Sequence, residues 1–233
     1  MYDQRLYLKT LSEFAGVLIS PYEVHAVLES LTDRVRDVLD LVGSGVSLAR
    51  GDRLEFDSAC GSDVAEIERT QERTQVGPCI TAFRTGQTIA VSDLTREHDR
   101  WPDYAATAAR ADIAAVASLP MRLGEQTVGA LNLYALGTRS WPEDELAAAQ
   151  VMADMATVYL INADRHDQQV ALNNQLQIAL DSRVIIEQAK GVLAARKKIT
   201  PEAAFERLRS HARSHRARLR SVAEAVVDNR LEI

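Results

Sequence analysis

Pro142 to Gly191 reads PEDELAAAQVMADMATVYLINADRHDQQVALNNQLQIALDSRVIIEQAKG, with neither proline nor glycine between its two ends. One unbroken helix of about fifty residues would run ~75 Å at 1.5 Å per residue. Globular helices rarely reach that length, so this segment is expected to join two domains and to offer a coiled-coil seam. Ser140-Trp141-Pro142-Glu143 opens it as a capping box with proline just inside. Leu172, Leu176, Ala179, Arg183, Ile186, Lys190 and Leu193 follow a 4-3 spacing, which two basic residues interrupt after Ala179. Upstream, Leu146, Met152, Met155, Ala156, Tyr159, Leu160 and Ala163 supply aliphatic faces, with Met155 or Tyr159 available to a partner. A homodimer held partly by this helix is the expectation.

Charge divides along the same line. Up to Asp164 the chain has 14 basic and 25 acidic residues, a net of −11, whereas Arg165 to Ile233 has 13 against 8, a net of +5. Between Arg183 and Arg220 the count is 11 against 3. Only the second part is suited to a polyanion, because an acidic surface repels phosphate.

Outward from the long helix, the first part mixes helix and strand signals. Tyr2 to Ile19 carries an amphipathic pattern. Ser20-Pro21-Tyr22-Glu23 opens a second helix, whose stripe of Val24, Val27, Leu28, Leu31, Val35, Val38 and Leu39 should stop at Gly43-Ser44-Gly45. Val46–Arg50 and Leu54–Ala59 flank Gly51-Asp52 as a hairpin. A polar stretch from Ser62 to Gln75 leads to a short helix, Cys79 to Arg84, ending at Gly86. Gln87–Val91 reads as a strand, Asp93–Ala111 as a loop with a short helix. Ala115–Leu123 and Gln126–Leu136 read as paired strands, with Gly129 marking a bulge or a close backbone approach.

At the other end, Ser182-Arg183-Val184-Ile185-Ile186-Glu187-Gln188-Ala189-Lys190-Gly191-Val192-Leu193 resembles the first helix of the ANTAR family. Ile199 to Phe205, Leu208-Arg209 and Leu219 to Ala223 continue that pattern in order, covering Ala171 to Val227. The resemblance implies RNA binding that relieves transcription termination, on paired stem-loops with six-base loops. The residues themselves predict three helices. Ile185, Ala189, Val192 and Leu193 face inward on the first, Ala204, Phe205, Leu208 and Ala212 on the second, and Leu219, Val222, Ala223 and Val226 on the third. Thr200 caps the second, with Pro201 at its first position. Outside these stripes stand Arg183, Lys190, Arg196, Lys197, Lys198, Arg209, Arg213, Arg216, Arg218 and Arg220, the candidate RNA contacts. Guanidinium groups fork onto phosphate oxygens or stack on unpaired bases.

Gly77-Pro78-Cys79, Val91 to Leu94, Ser118 to Met121 and Gly129 to Tyr134 resemble a GAF domain, over about Leu11 to Ala163. That resemblance implies a six-stranded antiparallel sheet with helices, often holding a small ligand; the Asn-Lys-Phe-Asp-Glu pattern of cyclic-nucleotide GAF domains is absent. The order GAF then ANTAR is similar to actinobacterial regulators. The expected fold class is therefore α+β: a sensor domain over 1–163, including the N-terminal helices, and an all-α module over 164–233 with the linking helix.

Other chemistry finds little footing. Cys79 opens a helix whose dipole could lower its thiol pKa, but Cys60 is the sole other cysteine, and a buried structural role is the commoner case. His211 and His215 have an i, i+4 metal spacing without a third ligand or a following glutamate, so no metal is expected. No phosphate-cradling glycine loop, receiver aspartate pattern or Ser/His/Asp set is present. Met1 to Thr10 has no apolar signal region, and a cytoplasmic, non-membrane, non-enzymatic regulator is expected. It would touch RNA polymerase only through the transcript, and its ligand is unknown. The alternatives are a helical DNA-binding repressor and a cysteine-dependent GAF-type reductase. Ser214-His215-Arg216 replaces the tight glycine turn that a helix-turn-helix repressor would use.

Overall fold

The computed structural model describes residues 2–18, 22–228 and 230–233. The chain forms two compact units, Met1–Asp164 and Arg165–Ile233.

The first unit is built on a five-stranded antiparallel sheet of β1 (Gly43–Arg50), β2 (Arg53–Cys60), β3 (Ile89–Val91), β4 (Ala115–Leu123) and β5 (Gln126–Ala135). The strand order is β2-β1-β5-β4-β3, one strand fewer than the resemblance implies. Alternation along β4 and β5 sends Ala117, Leu119, Met121, Leu131 and Leu133 to one face. There they meet α1 (Gln4–Val17), α2 (Val24–Leu39) and the first turns of α6 (Glu143–Lys197), through Phe14, Leu28, Leu31, Met152, Ala156 and Tyr159. The opposite face, with Val116 and Tyr134, is covered by α3 (Ser62–Thr74), α4 (Pro78–Thr85) and α5 (Pro102–Arg110). Both faces of the sheet are thus buried.

Several local expectations change. Helix α1 starts at Gln4, where the Asp3 carboxylate accepts from the Leu6 amide at 2.9 Å. Helix α2 starts at Val24 with Glu23 at the cap and no side-chain capping bond; Ser20 and Pro21 lie outside the described residues. It ends on Asp40 in the left-handed conformation, and Gly43 to Gly45 are the first residues of β1 rather than a stop. Helix α6 begins at Glu143, with the Pro142 carbonyl accepting from Leu146. Its first-turn Glu143, Asp144 and Glu145 suit the positive end of the helix dipole.

The polar stretch from Ser62 is helical. Its buried positions are Val64, Ile67, Glu68, Thr70 and Gln71, a helical spacing in which three of the five residues are polar. Gly129 combines both expectations. A Cβ there would lie 2.6 Å from the Ser47 carbonyl, and the β4–β5 register shifts beside it, between Met121 and Arg122.

Tyr159 is a core residue, not a free surface. It is fully buried, packs edge-on against Phe14 and Tyr22, and donates its hydroxyl proton to the Phe14 carbonyl. Helix α6 is the one helix among the described residues long and apolar enough to cross a membrane, with a window of mean hydropathy 1.3. Ala149, Met152, Ala153, Ala156 and Tyr159 from its apolar first part pack into this unit's core.

The second unit holds the rest of α6, α7 (Pro201–Ser214) and α8 (Leu219–Val227). Ala189, Leu193, Ala204, Leu208, Ala212, Val222, Ala223 and Val226 form its core. The Thr200 hydroxyl accepts from the Ala203 amide at 3.2 Å, and Pro201 sits in the first turn. Helix α6 ends at Lys197, followed by Lys198 with φ of 53°, and the Ile199 amide reaches back to the Ala194 carbonyl. Arg216, with φ of 51°, ends α7 the same way, as the Ala217 amide bonds the Ala212 carbonyl. Both junctions use the left-handed C-terminal turn that glycine ordinarily supplies. Phe205 departs from expectation: it is half-buried and outside the core, because Ala204, Leu208 and Ala212 already form the inward face of α7.

Candidate nucleic-acid interface and sensor interior

Eight of the ten candidate RNA-contacting residues are exposed; Lys190 and Arg220 are half-buried. Arg183, Arg196 and Lys197 project from α6, followed by Lys198 in its terminal turn. Arg209 and Arg213 are one turn apart on α7, and Arg216 and Arg218 occupy the turn before α8, which carries Arg220. Three of them have acidic neighbours: Lys190 pairs with Glu187 at 2.8 Å, Arg209 with Glu206 at 3.5 Å and Arg220 with Glu224 at 2.8 Å. The other seven make no ion pair among the described residues. Such groups can meet phosphate without first giving up an internal partner. Arg207, outside the candidate set, is also exposed on α7 and makes no ion pair among the described residues. His211 and His215 stack ring on ring at 4.0 Å.

In the first unit the polar groups converge on Glu68. Asn132 Nδ2 at 2.7 Å and the Tyr134 hydroxyl at 2.8 Å donate to its Oε1, and the Ser47 hydroxyl at 3.2 Å donates to Oε2. Gly45 makes the space: a Cβ there would collide with the Glu68 carboxylate. Burial pushes the Glu68 carboxyl up to about 7, against the opposing pull of those three hydrogen bonds. Asn132 Oδ1 and the Ser118 hydroxyl, side by side on paired strands, are buried without hydrogen-bond partners among the described residues.

The cysteines are both free and buried. Burial, with the Glu68 charge beside it, pushes the Cys79 thiol far above its ordinary range, so the helix dipole does not activate it. Burial likewise raises Cys60, to about 11, although the Arg36 guanidinium donates to its sulfur. Neither is poised as a nucleophile.

An α+β domain with a buried polar centre, ahead of a three-helix module edged with arginine, defines a two-part regulator. Residues 23–160 match the GAF domain family and residues 174–227 the ANTAR domain. The chain belongs to the GAF family and carries a C-terminal ANTAR domain, which implies RNA-binding antitermination under a GAF sensor. Solved structures with the same fold include the GAF domain of an Acinetobacter phosphoenolpyruvate-protein phosphotransferase, at 10% identity and a TM-score of 0.56, covering 70% of this chain and 97% of that one. The corresponding domain from Coxiella burnetii is 13% identical, with a TM-score of 0.56 and coverage of 70% and 98%. A free methionine-R-sulfoxide reductase from Neisseria meningitidis is 15% identical, with a TM-score of 0.55 and coverage of 71% and 96%. No curated protein matches the chain.

Proposed function

We propose that this protein is a signal-responsive antiterminator of the actinobacterial type, in which residues 164–233 hold RNA stem-loops and keep a terminator from forming. The observation that carries this reading is the set of seven exposed candidate side chains that make no ion pair among the described residues, Arg183, Arg196, Lys197, Lys198, Arg213, Arg216 and Arg218, on a module that matches ANTAR. Lys190, Arg209 and Arg220 join them by exchanging a carboxylate for a phosphate. The protein acts in the cytoplasm on nascent transcripts, and meets RNA polymerase only through them. Mobility-shift titration with tandem hairpin RNA and with duplex DNA tests the reading. Hairpin RNA is expected to bind more tightly; equal or tighter duplex binding would favour a DNA-binding repressor.

Residues 1–163 act as the sensor. The buried, partly unsatisfied polar centre at Glu68, Asn132 and Ser118 supports a small-molecule ligand there. The raised thiols of Cys60 and Cys79 argue against a reductase.

The working form is a homodimer. Leu172 and Leu176 on α6 are each 54% exposed, and Ile178 and Leu180 each 58%, an apolar cost that a second helix removes. Sedimentation at micromolar protein should give a dimer. A monomer with and without RNA overturns it.

A further inference from the structure

Phe205 is the one Phe, Tyr or Trp between Arg165 and Ile233. A small bundle gains most by burying its largest apolar side chain. This one buries alanines, leucine and valines and leaves the ring half-exposed on α7. The surroundings of the ring are polar and charged. Lys190 Nζ, from α6, lies 5.7 Å from the ring centroid, a cation over a π-face. Glu187 holds that ammonium with both carboxylate oxygens, at 3.0 and 2.8 Å. Glu202 stands in the first turn of α7. Its carboxyl is held below the usual range first by backbone and Thr200 hydrogen bonds, and further by the Lys190 charge. An aromatic face, a cation and the Glu187 carboxylate thus meet at one place on the surface.

The geometry points to Phe205 as the stacking platform for one unpaired base of the RNA loop, with Lys190 at the ring and Glu187 as an acceptor for an N–H group of that base. This rests on the RNA-binding reading above. Phosphate contacts carry no sequence information, so a module that recognises a loop needs a surface for a base as well as charge. Nucleobases stack on phenyl rings, and a neighbouring cation strengthens the contact. Lys190 then serves the base in this contact, and a phosphate could engage it only by displacing Glu187.

The test uses the full chain and RNA selected by it from a pool of tandem hairpins with randomised six-nucleotide loops. Phe205→Leu keeps an apolar side chain of similar reach and removes the π-face. It is expected to weaken binding on the order of tenfold to a hundredfold, while Phe205→Tyr stays within about threefold. Neither should shift the helical melt. An abasic scan of the loop should show one position whose loss weakens wild-type binding but adds nothing to Phe205→Leu, the non-additivity of two partners in one contact. Wild-type affinity in Phe205→Leu, or equal additivity at every loop position, overturns the proposal. A loss that comes with dissociation to monomers in sedimentation also overturns it, and assigns the ring to a second copy. Failure of the wild type to retain any RNA from the pool instead removes the RNA-binding reading itself.

Discussion

Unfolding of the sensor domain, followed through Trp101 and Trp141, should become easier by about 3 kcal/mol as pH rises from 4.5 to 7.5, and Glu68→Gln should abolish that trend. Both tryptophans lie in the first unit, so their fluorescence reports that domain. The unfolded Glu68 carboxyl titrates near 4.5 and the folded one near 7. Between those values the folded state holds a proton that the unfolded state has lost, so unfolding releases it. Stability from this group is therefore fully present below about 4.5 and is lost as pH rises through 7. Glutamine keeps the Oε1 acceptor for Asn132 and Tyr134 and places an N–H where Oε2 faces Ser47, so the packing survives. Other carboxylates contribute equally to both proteins and cancel in the difference. Parallel curves for wild type and variant would show that Glu68 does not carry a raised pKa.

The same residue shows where sequence reading stops. Hairpins, the long helix and the three-helix module follow from periods of 2 and 3.6 in apolar residues, which is why their places were legible. Helix α3 has that helical period too, but Glu68, Thr70 and Gln71 occupy three of its five buried positions, so a reading based on apolarity sees only a polar stretch. Gly43 and Gly45 look like a chain stop; in the folded chain they make room. A Cβ at Gly43 would lie 2.5 Å from the Cys60 carbonyl, and one at Gly45 would meet Glu68. Both constraints are imposed by segments distant in sequence. Phe205 fails in the opposite direction: its spacing fits the inward stripe of α7, but only the packed bundle shows that alanine and leucine leave it no place. For the basic residues the sequence identifies which side chains carry charge. Which of them is held by Glu187, Glu206 or Glu224 depends on rotamers that spacing alone does not determine.

Those pairings lead to the steepest expected dependence. If the seven candidate side chains that make no ion pair among the described residues each neutralise one phosphate, log Kd should rise with log salt at a slope of about 5 for single-stranded loops. From 50 to 200 mM salt the affinity of the full chain for hairpin RNA would then fall about a thousandfold. Lys190, Arg209 and Arg220 add less, because a phosphate must displace a carboxylate already in place. Arg213→Gln with Arg218→Gln removes two of the seven while leaving the buried face of α7 intact. The slope should drop by about 1.4, and since both side chains are exposed, stability should change by less than about 1 kcal/mol. Titrations at four salt concentrations separate the outcomes. A wild-type slope below about 2 would mean that most of these charges face solvent in the complex, and that affinity comes from base contacts instead. A slope unchanged in the double variant would move the phosphate track off the α7–α8 turn and onto the end of α6, where Arg196, Lys197 and Lys198 stand at the negative pole of the helix dipole.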